Sequence, residues 1–311
     1  MKFTTEIPIL KSSHSIHVND ELVLMGSCFA QEVGEWFKQQ RFRMVLNPNG
    51  IIFHPSVLAR IIRRALNQEH YVGFEWIQHN GLFHSFDHHG SCSEASAELL
   101  TQEANRKLTE TRDALMKADT LIITWGSAWG YRWNATGEWV ANCHKIPQQG
   151  FTKELAEASS IEAEWTDVLH LLRQHNPKVN VIFSVSPVRY WRDGAHGNQL
   201  SKAHLLIAAS RISNAFPCAH YFPSYEILLD ELRDYRFYTN DMLHPSELAV
   251  DYIIEKFQDM FFVEEARDYV RQMEPLLKFI GHRPLYISNE EWGERLAEKE
   301  AAIEQLRNKY A

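Results

Sequence analysis

The sequence predicts an α/β fold: a three-layer α/β/α domain around a five-stranded parallel sheet, with two hairpin insertions and a C-terminal helical extension. Three observations carry this. Five short apolar runs, Glu21 to Met25, Phe42 to Leu46, Thr120 to Thr124, Val179 to Ser184 and Ala219 to Phe222, are continuous rather than alternating, which suits strands buried on both faces of a parallel sheet. Helical patterns separate them, giving the alternation that βαβ units require. The chain has 311 residues with 45% hydrophobic content, enough to cover such a sheet on both faces.

The first run ends in Met25-Gly26-Ser27 and passes into a helical pattern over Phe29 to Gln40. The second leads through the turn residues Asn47-Pro48-Asn49-Gly50 to a helix over Ser56 to Asn67. Trp76 to Phe83 carries Asn80-Gly81 between apolar runs, the strongest short hairpin signal, and a helix over Ser93 to Lys117 follows. After the third run, Tyr131 to Val140 reads as a second hairpin around Asn134 to Gly137. It leaves the carboxyl end of a strand, where open α/β sheets place ligands, so it is expected to wall a site. Helices over Lys153 to Gln174, Gln199 to Phe216 and Ser246 to Phe261 complete a body spanning 1–261. Residues 262–311 read as a helical extension broken at Pro275 and Pro284. Its Trp292, Leu296, Ile303, Leu306 and Tyr310 fall near heptad spacing, so this helix is expected to pack on the body or to join a homo-oligomer.

Composition removes several function classes. Lys and Arg total 32 against 40 Asp and Glu, a formal charge of -8 with no basic block, which argues against nucleic acid as a partner. No segment approaches the roughly 20 apolar residues of a membrane span, and Met1 to Leu10 lacks the apolar core of a signal peptide. Cys28, Cys92, Cys143 and Cys218 form no CxxC pair, so free thiols and a cytoplasmic setting are expected. No GxGxxG or GxxxxGK[ST] string offers a nucleotide an anchor, and no cofactor is expected. His84, His88 and His89 invite a metal reading. Adjacent histidines in a strand point to opposite faces, however, and no helical His pair or Cys cluster supports them.

Two segments can carry chemistry. Ser27 lies where a buried strand hands over to a helix, and Gly26 permits the tight turn. Unpaired amides at a helix start stabilise an anion, which is what the oxyanion of an acyl-transfer intermediate needs. The same position also suits an ordinary capping serine. Farther on, Asp241-Met242-Leu243-His244-Pro245 places a carboxylate three residues from an imidazole, the pairing that holds a histidine base in its useful tautomer. Asp193 and His196 repeat the spacing.

Together, Gly26-Ser27-Cys28-Phe29-Ala30 and the later Asp241 to His244 resemble the GSCFA-domain proteins, a branch similar to the SGNH (GDSL-like) hydrolases. The resemblance covers roughly residues 20 to 260. It implies a flavodoxin-like, SGNH-type sheet, with Ser27 as nucleophile and His244 and Asp241 completing a catalytic triad. It also implies an oxyanion hole built on the amides of Ser27 and Gly50 and on an asparagine side chain after the third strand. This sequence departs from the pattern there, reading Gly126-Ser127-Ala128; Asn142 is the expected substitute donor and the Ser127 hydroxyl a second option. Ser127, His144, Arg189 and Trp129 are expected to bind substrate. Arg189 suits a carboxylate or phosphate, against the competing expectation of a salt bridge to Asp193 or Glu226. Trp125, Trp129, Trp133 and Trp139 cluster near the same edge, where flat rings can stack on sugars or fill the core.

The activity so implied is an esterase, removing an O-acyl or O-acetyl group from a sugar or small-molecule ester. An acyltransferase would use the same triad. A glycan-binding protein without activity would keep the scaffold and use the tryptophan edge. Cys28 is a competing nucleophile, because a thiol in the first turn of a helix can have a lowered pKa.

Overall fold

The computed structural model describes residues 4–282, 284 and 286–310, so residues 1 to 3 of the N-terminal stretch lie outside the described residues. In chain order the elements are β1 (Leu22–Gly26), α1 (Cys28–Gln39), β2 (Met44–Leu46), α2 (Pro55–Asn67), β3 (Ile77–His79), β4 (Leu82–His84) and α3 (Ala97–Lys117). They continue with β5 (Thr120–Trp125), β6 (Trp129–Trp133), β7 (Trp139–Val140), β8 (Phe151–Leu155), α4 (Ala158–His175), β9 (Asn180–Val185), α5 (Gly194–Ala215) and β10 (Ala219–Phe222). A short turn α6 (Ser224–Glu226), then α7 (Glu247–Phe261), α8 (Glu264–Gly281) and α9 (Asn289–Lys309) complete them.

The five apolar runs are β1, β2, β5, β9 and β10, all parallel, in the spatial order β10-β9-β5-β1-β2. Alternation across β1 separates two cores. Val23 and Met25 pack with α2, α4 and α5, whereas Leu22 and Leu24 pack with α1, α7 and α8. The chain leaves β1 toward β2 on one side and reaches β5 on the other. The crevice above the carboxyl ends of β1 and β5 is therefore the switch point, where sheets of this kind hold ligands.

The first insertion is the expected hairpin: β3 and β4 pair antiparallel, and Asn80 (φ 48°) and Gly81 (φ 77°) make the tight turn. The second differs from expectation. β6 pairs not only with β7 but also with β8, so residues 151–155 form a third strand where the sequence suggests the start of a helix. Phe151 is buried while Thr152, Lys153 and Glu154 stay exposed, and pairing to β6 overrides the helical preference of Lys153 and Glu154.

The extension packs inward. Ile303 and Leu306 of α9 join the core that holds Phe37 and Tyr269, and Trp292 stacks on Phe279 of α8. The heptad-like stripe is thus covered by this chain's own body. Pro275 does not break α8. It sits on the exposed side, where water can take up the Arg271 carbonyl that a proline cannot serve.

Candidate active site

At the end of β1, Gly26 adopts φ 152°, and a Cβ there would meet the Thr124 carbonyl oxygen at 2.3 Å, so only glycine fits this turn. The Asn47 side chain accepts its amide at 2.9 Å and braces the strand end. Ser27 then occupies the N-cap of α1 with extended backbone (φ -70°, ψ 178°), yet its side chain does not cap the helix. The hydroxyl is buried and has no hydrogen-bond partner among the described residues. An orphaned buried hydroxyl costs about 1 to 3 kcal/mol, so a capping role does not account for this serine.

Ser27 lines a cavity of about 540 Å³ together with Phe53, Gly126, Ser127, Arg189, Trp191 and His244, among others. Gly126 is needed for the approach: a Cβ on it would stand 2.6 Å from Phe53 Cβ and 3.3 Å from Ser27 Cβ. His244 reaches the cavity from the loop before α7. Its Nδ1 lies 2.6 Å from Asp241 Oδ2, which assigns the ring proton to Nδ1 and leaves Nε2 as the acceptor nitrogen. Asp241 also accepts from Thr239 Oγ1 at 2.7 Å and from the amides of Leu243 at 2.8 Å and His244 at 3.0 Å. These donors, with the backbone amides contributing most, hold its carboxyl well below the usual carboxylate range. The Arg189 amide donates to the Leu243 carbonyl at 3.0 Å and ties this loop to the end of β9.

The repeated Asp and His spacing is not a pair. Asp193 is bonded to Lys153, and His196 lies exposed in the first turn of α5. Cys28 also lines the cavity, but burial first, then Glu32, pushes its thiol pKa up, opposite to what a nucleophilic thiolate requires.

The expected oxyanion hole needs correction. The Ser27 amide donates to the Thr124 carbonyl at 3.1 Å, and the Gly50 amide closes a turn on Asn47 at 2.8 Å. Asn142 does not line the cavity; its Oδ1 accepts the His144 amide at 2.7 Å, a local loop bond. His144 and Trp129 are likewise engaged elsewhere. His144 Nε2 meets the Ser85 carbonyl at 2.7 Å and its ring stacks on His84, while Trp129 Nε1 donates to the Gly197 carbonyl at 3.0 Å. Trp125 is core against Trp165 and Phe183, Trp133 packs on Phe151, and Trp139 is buried against His54. The expected aromatic wall therefore belongs to packing. The histidines of the first insertion are spoken for separately, His84 by Ser93 and the His79 carbonyl, and His88 by Ser85.

What remains near Ser27 are the amides of the first turn of α1, which have no acceptor within the helix, and the turn after β5. In that turn the Gly126 amide is taken by the Phe53 carbonyl, that of Ala128 by Ser201 Oγ and that of Trp129 by Ser127 Oγ. The Ser127 amide is engaged by no described acceptor. The carbonyl of the same peptide unit, on Gly126, accepts from Lys202 Nζ at 2.7 Å, and so does the Ser186 carbonyl at 2.7 Å. Lys202 is fully buried and joins the ends of β5 and β9 under the cavity floor. Because a trans peptide points its carbonyl and amide in opposite directions, the Ser127 N–H faces away from Lys202. Nothing in the sequence distinguishes Lys202 from an ordinary helix lysine.

A family model described as the GSCFA family matches residues 21–257. No curated protein matches the chain. Among solved structures, one from Streptococcus pneumonia described by the words platelet activating factor is similar, at 10% identity over 78% of this chain and 84% of that one, with a TM-score of 0.38.

Proposed function

The chain belongs to the GSCFA family, and from that premise we propose that it is a serine hydrolase of esters, with Ser27 as nucleophile, His244 as general base and Asp241 orienting the imidazole. One observation supports the reading above the others: a buried serine hydroxyl with no partner shares a cavity with a histidine whose far ring nitrogen is fixed by a carboxylate.

In this mechanism the Ser27 hydroxyl attacks the ester carbonyl carbon while Nε2 of His244 takes its proton. The oxyanion is met by the Ser127 amide and by the first-turn amides of α1, in place of the donors the family resemblance implies. Collapse expels the alcohol, which leaves with the proton from His244, and water then attacks the acyl group on Ser27 to release the acid. The substrate is an O-acyl or O-acetyl ester of a sugar or small molecule, held against Ile51, Phe53, Val188 and Trp191 on the largely apolar cavity wall. Hydrolysis of 4-nitrophenyl acetate tests the reading. Turnover should disappear in Ser27→Ala and persist in Cys28→Ala; turnover retained in Ser27→Ala would remove the serine mechanism.

A further inference from the structure

The charge on this cavity is opposite to that of the protein. The chain carries a formal charge of -8, yet the charged side chains that line the cavity are Arg189 and Arg192, and no carboxylate is among its lining residues. Directly beneath, Lys202 donates to the Gly126 and Ser186 carbonyls. The carboxylates that would neutralise Arg189 by proximity in sequence or strand order are occupied. Asp193 pairs with Lys153, and Glu226 accepts the Tyr221 hydroxyl at 2.9 Å through both its oxygens. Among the described residues Arg189 forms no ion pair; its side chain hydrogen-bonds Tyr238, and its Nε is buried without a partner. Its guanidinium lies 5.4 Å from the Trp191 ring centre, so the side chain is held in place by an aromatic face rather than by an acid.

Position matters as much as charge. A second cavity, of about 520 Å³, adjoins the first, and Arg189, Trp191 and Leu243 line both. Arg189 therefore stands at the divide between the space beside Ser27 and the space beyond it. The other charged groups of the second cavity have partners of their own: Arg233 pairs with Asp230 at 3.3 Å, Asp234 lies 3.7 Å from Arg236, and Asp241 holds His244. A partly buried guanidinium that the protein pairs with no carboxylate is a site for an oxyanion group that binds by hydrogen bonds between charged groups.

We infer that the ester cleaved at Ser27 carries an anionic group, a carboxylate or a phosphate, that docks on Arg189. The inference rests on reading this cavity as the ester site, and it narrows the substrate to acidic esters.

The test compares matched esters: 3-acetoxybenzoate and 3-acetoxyphenyl phosphate against 3-acetoxybenzamide, and mono-4-nitrophenyl glutarate against 4-nitrophenyl valerate. The wild-type protein should favour the anionic member of at least one set by about tenfold or more in kcat/KM, as expected for a hydrogen bond between charged groups. That preference should collapse in Arg189→Gln and return in part in Arg189→Lys. The benzoate and phosphate arms decide which anion is taken. Equal treatment of charged and neutral esters, or a preference unchanged in Arg189→Gln, overturns the inference while leaving the hydrolase reading in place. If no ester turns over, the hydrolase reading fails, and calorimetric titration with benzoate and benzamide still judges the anion site: tighter binding of benzoate that is lost in Arg189→Gln supports it, and equal binding overturns it.

Discussion

Lys202 supplies a prediction whose size follows from its surroundings. It is fully buried, and burial pulls its pKa from 10.5 down to about 7; Arg189 acts in the same direction and Cys28 against it. At roughly 1.4 kcal/mol per pH unit, that displacement separates the charged and neutral forms by about 5 kcal/mol. Because the folded pKa lies below the unfolded one, the unfolded chain binds more protons between the two values. Stability from this group therefore rises with pH across that window, and its charge costs most at and below about pH 7. The neutral amine keeps two N–H donors, which match the two carbonyls it serves. Lys202→Met removes the titration and leaves the Gly126 and Ser186 carbonyls without this donor, at about 1 to 3 kcal/mol each. Urea unfolding of both proteins should show the wild type gaining on the variant by about 3 kcal/mol between about pH 7 and about pH 9.5, with equal m-values. A difference that stays flat, or shrinks as the pH rises, would refute the reasoning.

Three further outcomes follow from the site. His244→Ala should lower kcat by about 10²- to 10⁴-fold and His196→Ala should change it little, because only His244 is held by a carboxylate in the cavity; stopped assays on the purified variants decide it. Gly126→Ala should lose about 1 to 3 kcal/mol in thermal unfolding, with a fall in kcat, since its new methyl meets Phe53 and presses on Ser27. Asn142→Ala should lower Tm with kcat nearly unchanged, as a bond confined to its own loop requires.

The parallel sheet was legible because burial on both faces writes itself as continuous apolar runs, and β10 occupies the span read from Ala219 to Phe222. β8 was not: its solvent-facing Lys153 and Glu154 carry helical preference, and pairing with β6 makes it a strand. In the candidate site, Ser27, Asp241 and His244 were legible as candidates because local turns present them, one at a strand end and two in a single loop. The cavity's Phe53, Leu243 and the adjacent Trp191 and Arg192 come together from three separate loops and have no shared pattern in the chain. The tryptophans around β6 misled in the opposite sense, since nearness in sequence placed them at a ligand edge while the fold spent them on packing.

The central claim, that Ser27 is an activated nucleophile, does not depend on knowing the substrate. Treatment with a fluorophosphonate probe followed by peptide mass spectrometry tests it directly. The account predicts a single phosphonyl adduct on Ser27, slowed sharply in His244→Ala and absent in Ser27→Ala. An unmodified Ser27, or an adduct on Cys28 or another serine in the wild-type protein, would contradict it.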